Sequence, residues 1–426
     1  MTGNHPQASR HDVLVLGAGI IGVSTALHLQ QRGLRVCLVD RAEPGSPAAA
    51  SYGNAGLIER ASVVPYAFPR APLALLRYAF NQQPEVHYHW RALPGAARWL
   101  LTYWMQSAPS PLALAARDML PLIERSVDEH EALVRAAGLE GLVRDGGWID
   151  VYRNPQAFAA ASADARRLAE QHGLRMDVLD GAALAAREPS LLQQANMAGG
   201  IHWLDPHTVA SPGALVRGYA DLFRQRGGLI AQADARSLRQ DEQGWVLDTN
   251  PQLAATQVVV ALGADAKALC AGLGYKVPLA VKRGYHMHFR PSDAAPAPLH
   301  PLCDSQAGFV LSSMQQGVRL TTGVEFAPDD TPPDPTQLRR AESIARRFWP
   351  LGEPVEQTPW LGRRPCTPDM RPVIGPAPRH RGLWFNFGHA HHGLTLGPVS
   401  GRLLAELMTG QPPLTDPAPY SVDRFL

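Results

Sequence analysis

The chain is short of cysteine, of long apolar runs and of net charge. Its 426 residues include four cysteines, Cys37, Cys270, Cys303 and Cys366, with no CxxC pair and no Cys/His ligand spacing. That argues against a disulfide framework and against structural zinc, and it points to reduced thiols in the cytosol. Met1 to Asp12 is polar with no apolar core, so no secretory signal is expected. No apolar run reaches the roughly 18 residues that suggest a membrane span. Lys and Arg total 40 against 38 Asp and Glu, a balance that gives no reason to expect nucleic acid as a partner. No internal repeat or long low-complexity tract occurs. With 45% hydrophobic and 18% charged residues the chain can bury sizeable cores. Its length allows about two to four domains.

What is present is ordered along the chain. Val13 to Leu16 is a short apolar run ending at Gly17, the pattern of a buried parallel strand. Ile20 to Gln31 turns to helical periodicity, and Gly33 supplies a stop. Val36 to Val39 is a second buried strand, ending at Asp40. Strand, helix and strand together take about thirty residues, the size of a βαβ unit. Ala42 to Gly56, rich in Pro, Gly, Ser and Ala, reads as loop. Ser62 to Gln106 mixes prolines with Tyr, Trp and Arg. Helices are predicted over Pro111 to Gly138, Pro155 to Gly173, Pro212 to Arg226, Thr336 to Trp349 and, closing the chain, Gly397 to Met408. Strands are predicted at Gly147 to Tyr152, Leu229 to Leu238, Gly244 to Thr249 and Gln257 to Leu262. Lys276 to Arg290, Gly308 to Ser313 and Val318 to Thr322 read as an antiparallel sheet, and Pro291 to Pro301 as an exposed loop.

The glycine turn carries the first chemistry. Gly17-Ala-Gly19-Ile20-Ile21-Gly22 fits G-x-G-x-x-G between a predicted strand and a predicted helix. The first glycine permits a tight turn, the second lets backbone approach a pyrophosphate, and the third lets helix pack on strand. The free N–H groups and dipole of the helix start attract phosphate. Asp40 lies 18 residues after Gly22, where a carboxylate accepts hydrogen bonds from ribose hydroxyls. It repels a 2′-phosphate, an effect softened by the neighbouring Arg41. FAD and NAD both contain ADP, so this unit alone leaves the choice between them open.

Distant segments add to it. Val258-Val-Val-Ala-Leu-Gly263 is a second strand-to-glycine element. Ser51-Tyr-Gly-Asn54-Ala55-Gly56, Gly199-Gly-Ile-His-Trp-Leu-Asp-Pro, Gly362-Arg-Arg-Pro and Phe387-Gly388-His389-Ala-His-His-Gly393-Leu394-Thr395-Leu-Gly-Pro follow in order. On these motifs the chain resembles the D-amino-acid oxidase/dehydrogenase superfamily, and within it the bacterial D-amino-acid dehydrogenases. The likeness runs nearly the whole length and is strongest at the two ends. It implies an α/β chain, α+β overall, with a discontinuous Rossmann-like FAD-binding domain (10–62, 196–272 and 356–412). An antiparallel-sheet substrate domain (63–195 and 273–355) completes it.

The resemblance also implies roles. Gly17, Gly19, Ile20, Ile21, Gly22, Asp40 and Arg41 would hold the ADP half of FAD, and Ser51 would also contact the cofactor. Asn54, Ala55 and Gly56 would lie beside the isoalloxazine. Ala235 would sit at the adenine end and Gly263 near the pyrophosphate. Gly388, His389, Gly393, Leu394 and Thr395 would pass the flavin pyrimidine. The positive end of the last helix would stabilise an anionic reduced flavin. Cys366 directly precedes Thr367-Pro-Asp, the wrong offset for the covalent flavin cysteine of sarcosine oxidases, so non-covalent FAD is expected.

Amine oxidation needs the substrate carboxylate fixed, and a bidentate guanidinium does this best. Arg364 matches the family arginine of Gly-Leu-Arg-Pro; Arg363 replaces the leucine and is expected to point away. Lys282-Arg-Gly-Tyr285-His286 resembles the strand that crosses above the flavin. Tyr285 or His286 is the candidate contact to carboxylate or amine. His286, with an ordinary pKa of about 6.5, suits deprotonation of the amine. Alternation along a strand lets at most one of the two face the site directly. His389, His391 and His392 lie among glycines with no carboxylate partner in sequence, so no metal is expected.

The closing Gly-His-x-His-x-Gly-Leu-Thr-x-Gly-Pro and the Arg-Gly-Tyr-His look most like the branch acting on D-proline or cis-4-hydroxy-D-proline. A quinone or another carrier is the expected electron acceptor. The stretch Tyr66 to Trp104, with Arg70, Arg77, Arg91 and Arg98, reads chiefly as helices covering the pocket. It also has the composition for peripheral contact with a membrane by an otherwise cytoplasmic protein. The rival readings are an oxygen-using oxidase of glycine or sarcosine type, an NAD-dependent dehydrogenase, and a flavin subunit of a multi-chain dehydrogenase.

Overall fold

The computed structural model describes residues 10–293, 296–328 and 330–426. The polar stretch up to residue 9, and residues 294–295 of the proline-rich loop, lie outside the described residues.

Five parallel strands form the first sheet, in the order Leu229–Gln232, Val36–Asp40, His11–Leu16, Leu253–Val260 and Leu383–Phe387. Its registers include Val13↔Val36 and Leu16↔Val260. A short hairpin, Arg239–Asp241 with Gly244–Leu247, and the antiparallel strand Val373–Pro376 extend it. The first strand shows why these segments read as continuous apolar runs. Val13 and Val15 pack into one apolar cluster with Val23, Leu27 and Leu403. Leu14 and Leu16 point the other way, against Trp245, Val258 and Phe385. All four are fully buried, each contributing about 1.5–3 kcal/mol.

The two ends of the chain meet on one face of this sheet. Helix Ile20–Gln31 packs against the closing helix Gly393–Met408 at very short range. A Cβ on Gly397 would come within 2.7 Å of Ile20 Cγ1, and one on Gly401 within 2.8 Å of the Thr25 amide nitrogen. The closing helix starts at Gly393, four residues before the expected Gly397. Gly393, Gly397 and Pro398 look like helix breakers in sequence, yet Gly397 and Gly401 serve the contact between helices.

Ten strands make the second sheet, mostly antiparallel. At its centre Ala280–Phe289 pairs with Gly317–Thr321 and with Trp360–Cys366. Trp148–Tyr152, Gly199–Trp203 and Met176–Asp180 form its far side. Gly199–Trp203 and Trp360–Cys366 therefore belong to this sheet, although sequence placed both with the cofactor unit. Short apolar strands carry no mark of which sheet they join. Leu229 to Leu238 is a strand only to Gln232 and then a 3₁₀ turn at Ala235–Ser237. The expected helix Pro111 to Gly138 is two, Pro109–Glu124 and Ser126–Ala137. The proline- and aromatic-rich stretch contains helices Pro72–Ala79 and Leu93–Gln106, each with proline in its first turn, where the missing N–H costs nothing.

Candidate active site

Both sheets wall one cavity of about 1520 Å³. Its first stretch is the glycine turn. Gly17 has φ +106°, and a Cβ there would overlap the Ala261 carbonyl. A Cβ on Gly22 would overlap the Gly17 carbonyl oxygen, so the helix starts directly against the turn. Asp40 closes the turn: Oδ2 accepts the Ala18 N–H at 2.6 Å and Oδ1 the Ala42 N–H at 3.0 Å. Ser51 Oγ accepts from the Ile20 amide at 3.3 Å, bringing the loop onto the helix start. Asp265 holds Arg41 at 2.8 Å and Arg363 at 2.7 Å, and all three line the cavity, so Arg363 is paired there rather than turned away from it.

The loop at Asn54 is tied to the rest of the wall. Asn54 Oδ1 accepts the Gly56 N–H at 2.8 Å, and the buried Arg319 donates to the Asn54 and Tyr52 carbonyls at 2.7 and 3.1 Å. Burial pulls Arg319 down to about 10. Of the sequence-expected cofactor residues, Gly17, Gly19, Ile20, Ile21, Asp40, Arg41, Ser51, Asn54, Ala55, Ala235, Gly263, Gly388, His389, Gly393 and Leu394 line the cavity. Gly22, Gly56 and Thr395 lie just behind it. Thr395 Oγ1 accepts the Glu59 N–H at 3.1 Å and donates to the Leu57 carbonyl at 3.3 Å.

Arg364 belongs to the wall built by the second sheet. Lys282 pairs in register with Arg364, and Gly284 with Gly362. The guanidinium donates to the Gly323 carbonyl at 2.6 Å and to the Thr322 carbonyl at 3.1 Å. It lies where a side chain of residue 284 would begin: a Cβ on Gly284 would stand 2.5 Å from Nη1 and Nη2. Two carbonyls and one absent side chain thus hold the fork in place. Burial lowers the Arg364 pKa while Cys366 and Glu59 oppose the shift, and a guanidinium keeps its charge.

Tyr285 and His286 do not line the cavity, which corrects the expected substrate contacts. The Tyr285 hydroxyl donates to Glu325 at 2.8 Å and accepts from Arg283 and from the Asp334 amide, on the opposite face of the strand. His286 shares the parity of Lys282 and Gly284 but stacks on Trp360, with ring centroids 4.7 Å apart. Burial, then Arg319 and His288, push His286 down to about 2.

Three residues that sequence did not single out do line the cavity. Lys282 sits 4.1 Å over the Tyr103 ring and 5.2 Å over Trp99, its pKa lowered by burial. Strand parity with a cavity-facing Gly284 was the signal for it. Glu59 and Asp150 are carboxylates that line the same cavity. Burial pushes Glu59 up to about 7 and Asp150 up to about 6. Asp150 accepts the indole N–H of Trp203 at 2.9 Å and of Trp148 at 3.3 Å. Glu59 also supplies the carboxylate missing from the sequence around the three histidines, 3.8 Å from His392 Nδ1. Burial depresses those histidines, His389 to about 3 and His392 to about 4, so they are neutral near pH 7.

The chain matches the family model described as DAO, FAD dependent oxidoreductase, over residues 12–407. It is 31% identical to a D-amino-acid oxidase of Bradyrhizobium diazoefficiens, covering 98% of this chain and 99% of that protein. It is 30% identical to a D-amino acid dehydrogenase of Chromohalobacter salexigens, covering 97% and 99%. The fold is similar to that of glycine oxidase from Geobacillus kaustophilus, with TM-score 0.75 at 23% identity over 98% of this chain and 100% of that one. It is also similar to L-proline dehydrogenase from P. horikoshii, with TM-score 0.71 at 17% identity over 98% of each. With the glycine turn, Asp40 and the cavity between the two sheets already in place, this match settles the cofactor class: the chain belongs to the DAO family of FAD-dependent oxidoreductases, and its activity is that of an amino-acid oxidase or dehydrogenase.

Proposed function

We propose that the enzyme oxidises a D-amino acid at its Cα–N bond, with D-proline or cis-4-hydroxy-D-proline as the substrate type. The immediate product is an imine, which water hydrolyses to the oxo acid. The observation that carries this reading is Arg364, a guanidinium fixed in the cavity wall with N–H donors beyond those given to Thr322 and Gly323.

The wall suits FAD. Asn386 Oδ1, His389 Nε2, His391 Nε2 and His392 Nδ1 are buried, accept or donate no hydrogen bond within the protein and belong to residues of this cavity, so they offer hydrogen bonds to a polar ring system. Gly17, Gly19 and the amides opening the first helix would hold the pyrophosphate, and Asp40 the ribose. Asn54, Ala55 and the segment from Gly388 to Thr395 would hold the ring system. Bound there, FAD supplies the acceptor for the hydride that leaves Cα. Cys366 is buried and contacts the Arg364 carbonyl at 3.6 Å, its thiol pushed up by burial. A protonated thiol is a poor nucleophile, so we hold the flavin non-covalent: acid precipitation leaves it in the supernatant, and colour in the pellet would refute this.

Arg364 then orients the carboxylate, and Lys282 adds a second cation to the same wall. Tyr66, Tyr103, Trp148 and Phe326 give the cavity apolar surface that fits a pyrrolidine ring. A panel of D- and L-amino acids, glycine, sarcosine and cis-4-hydroxy-D-proline with an artificial electron acceptor tests the reading. Turnover is expected for D-enantiomers alone, fastest with the cyclic ones; turnover of L-enantiomers or of sarcosine alone would overturn it. The acceptor we propose is a quinone or another carrier. Leu73, Leu76, Phe80, Trp90, Leu101 and Met105 are exposed apolar side chains that support contact with a membrane surface. Among the described residues no helix is long and apolar enough to cross one. Rapid oxidation of the reduced enzyme by air would mark an oxidase instead.

A further inference from the structure

We propose that Glu59 is a catalytic residue: its carboxylate takes the proton from the substrate ammonium group inside the cavity. This rests on the reading of the substrate as an amino acid whose carboxylate binds Arg364.

An amino acid arrives near neutral pH with its nitrogen protonated, and a protonated nitrogen has no lone pair to assist loss of hydride from Cα. One N–H bond must break first. In the step proposed, that bond breaks, an O–H bond forms on Glu59, and the electron pair stays on nitrogen. No electrons leave the substrate in this step, and its carboxylate stays paired with Arg364.

The choice of Glu59 follows from what lines the cavity. Of the other carboxylates that line the cavity, Glu85 accepts the Tyr78 hydroxyl at 2.8 Å, Asp304 pairs with Arg153 at 2.7 Å, and Asp40, Glu43, Asp234 and Asp265 are each tied to a backbone amide or an arginine. Lys282 and Arg364 are cations. His389, His391 and His392 are all depressed by burial, which makes them weak proton acceptors. Asp150 has its oxygens committed to two indole N–H groups. Glu59 is different. Its backbone is fixed by Thr395 on the closing helix, and the residue is buried. Oε2 accepts the Ser62 hydroxyl at 2.8 Å; among the described residues no protein donor reaches Oε1.

The charged and titratable neighbours are Arg364, Asp150 and Cys303 from the second sheet, His391 and His392 before the closing helix, and Tyr66 from its own loop. Burial raises Glu59 most, Ser62 opposes, Asp150 adds, and Arg364 opposes, leaving it at about 7. A base near the working pH combines adequate strength with an adequate ionised fraction. His286, the amine base that sequence suggested, does not line the cavity.

The test is the pH dependence of flavin reduction by the D-amino acid of the panel that reduces the enzyme fastest. Wild-type kcat/KM should rise about tenfold per pH unit and bend near pH 7, as one ionising group predicts. E59Q should lose about a hundredfold at neutral pH. It should also lose that bend, its rate climbing to higher pH until it meets the wild type where the free amine dominates. Ser62→Ala removes a hydrogen bond that favours the anion, so its bend should move to higher pH. E59D should keep a bend at reduced rate, which covers the case in which E59Q does not fold. Affinity for benzoate, a carboxylate without an amine, is read from the flavin spectrum and should change less than threefold in E59Q. An E59Q profile that keeps the wild-type bend at any rate, or an equal loss of benzoate binding, overturns the proposal. Wild-type enzyme reduced by no amino acid would overturn the proposed function itself.

Discussion

Arg364→Ala is expected to raise KM for the amino acid by about two to three orders of magnitude while the flavin stays bound. The magnitude follows from removing one partner of a desolvated, hydrogen-bonded charge pair, a loss of about 2–5 kcal/mol. The flavin stays because Arg364 contacts the space above Gly284 in the second sheet and the Thr322 and Gly323 carbonyls in the link between two of its strands, whereas the glycine turn and Asp40 belong to the first sheet. Arg364→Lys should recover part of the loss, since a point charge replaces a planar fork. Gly284→Ala should reproduce part of the effect without touching the charge, because its methyl would stand 2.5 Å from the guanidinium nitrogens. Steady-state kinetics with the flavin absorbance of each purified variant checks all three. Loss of flavin in Arg364→Ala would undo its assignment as a substrate clamp.

Gly22→Val is expected to abolish flavin retention. The first atom of any side chain at 22 overlaps the Gly17 carbonyl oxygen, which is backbone and has no rotamer to move aside. The helix start must then lift from the turn, taking with it the amides expected to face the pyrophosphate. Overpacking of this kind costs about 1–3 kcal/mol, so the chain should fold with a lower Tm and purify colourless. A yellow Gly22→Val protein with wild-type flavin content would contradict the role given to the turn.

Sequence exposed what is local. Gly17, Gly19, Gly22 and Asp40 lie within one strand–helix–strand unit, and their spacing carries the chemistry. Arg364 was visible through its motif. Glu59 and Lys282 were not, because their places depend on pairings far along the chain. Lys282 faces the cavity only through the strand pairing that sets it beside Arg364, and Glu59 only through the tie between its amide and Thr395. Tyr285 and His286 show the limit of alternation as evidence. It separates two faces of a strand without saying which one meets the cavity or how far along the cavity reaches. Tyr285 is on the wrong face, and His286 is on the right face but lies against Trp360. The same distance effect hid the sheet membership of Gly199–Trp203, whose partners lie at Trp148–Tyr152 and Met176–Asp180.

The glycine turn supplies only one wall of the cavity, and in the proposed function the substrate carboxylate is met by Arg364 of the second sheet. Anaerobic mixing of the purified enzyme with D-proline, and separately with L-proline, tests that account most directly. Bleaching of the visible flavin band by D-proline alone, lost in Arg364→Ala at the same concentration, is the predicted result. Bleaching by L-proline alone, or undiminished bleaching of Arg364→Ala by D-proline, would contradict it.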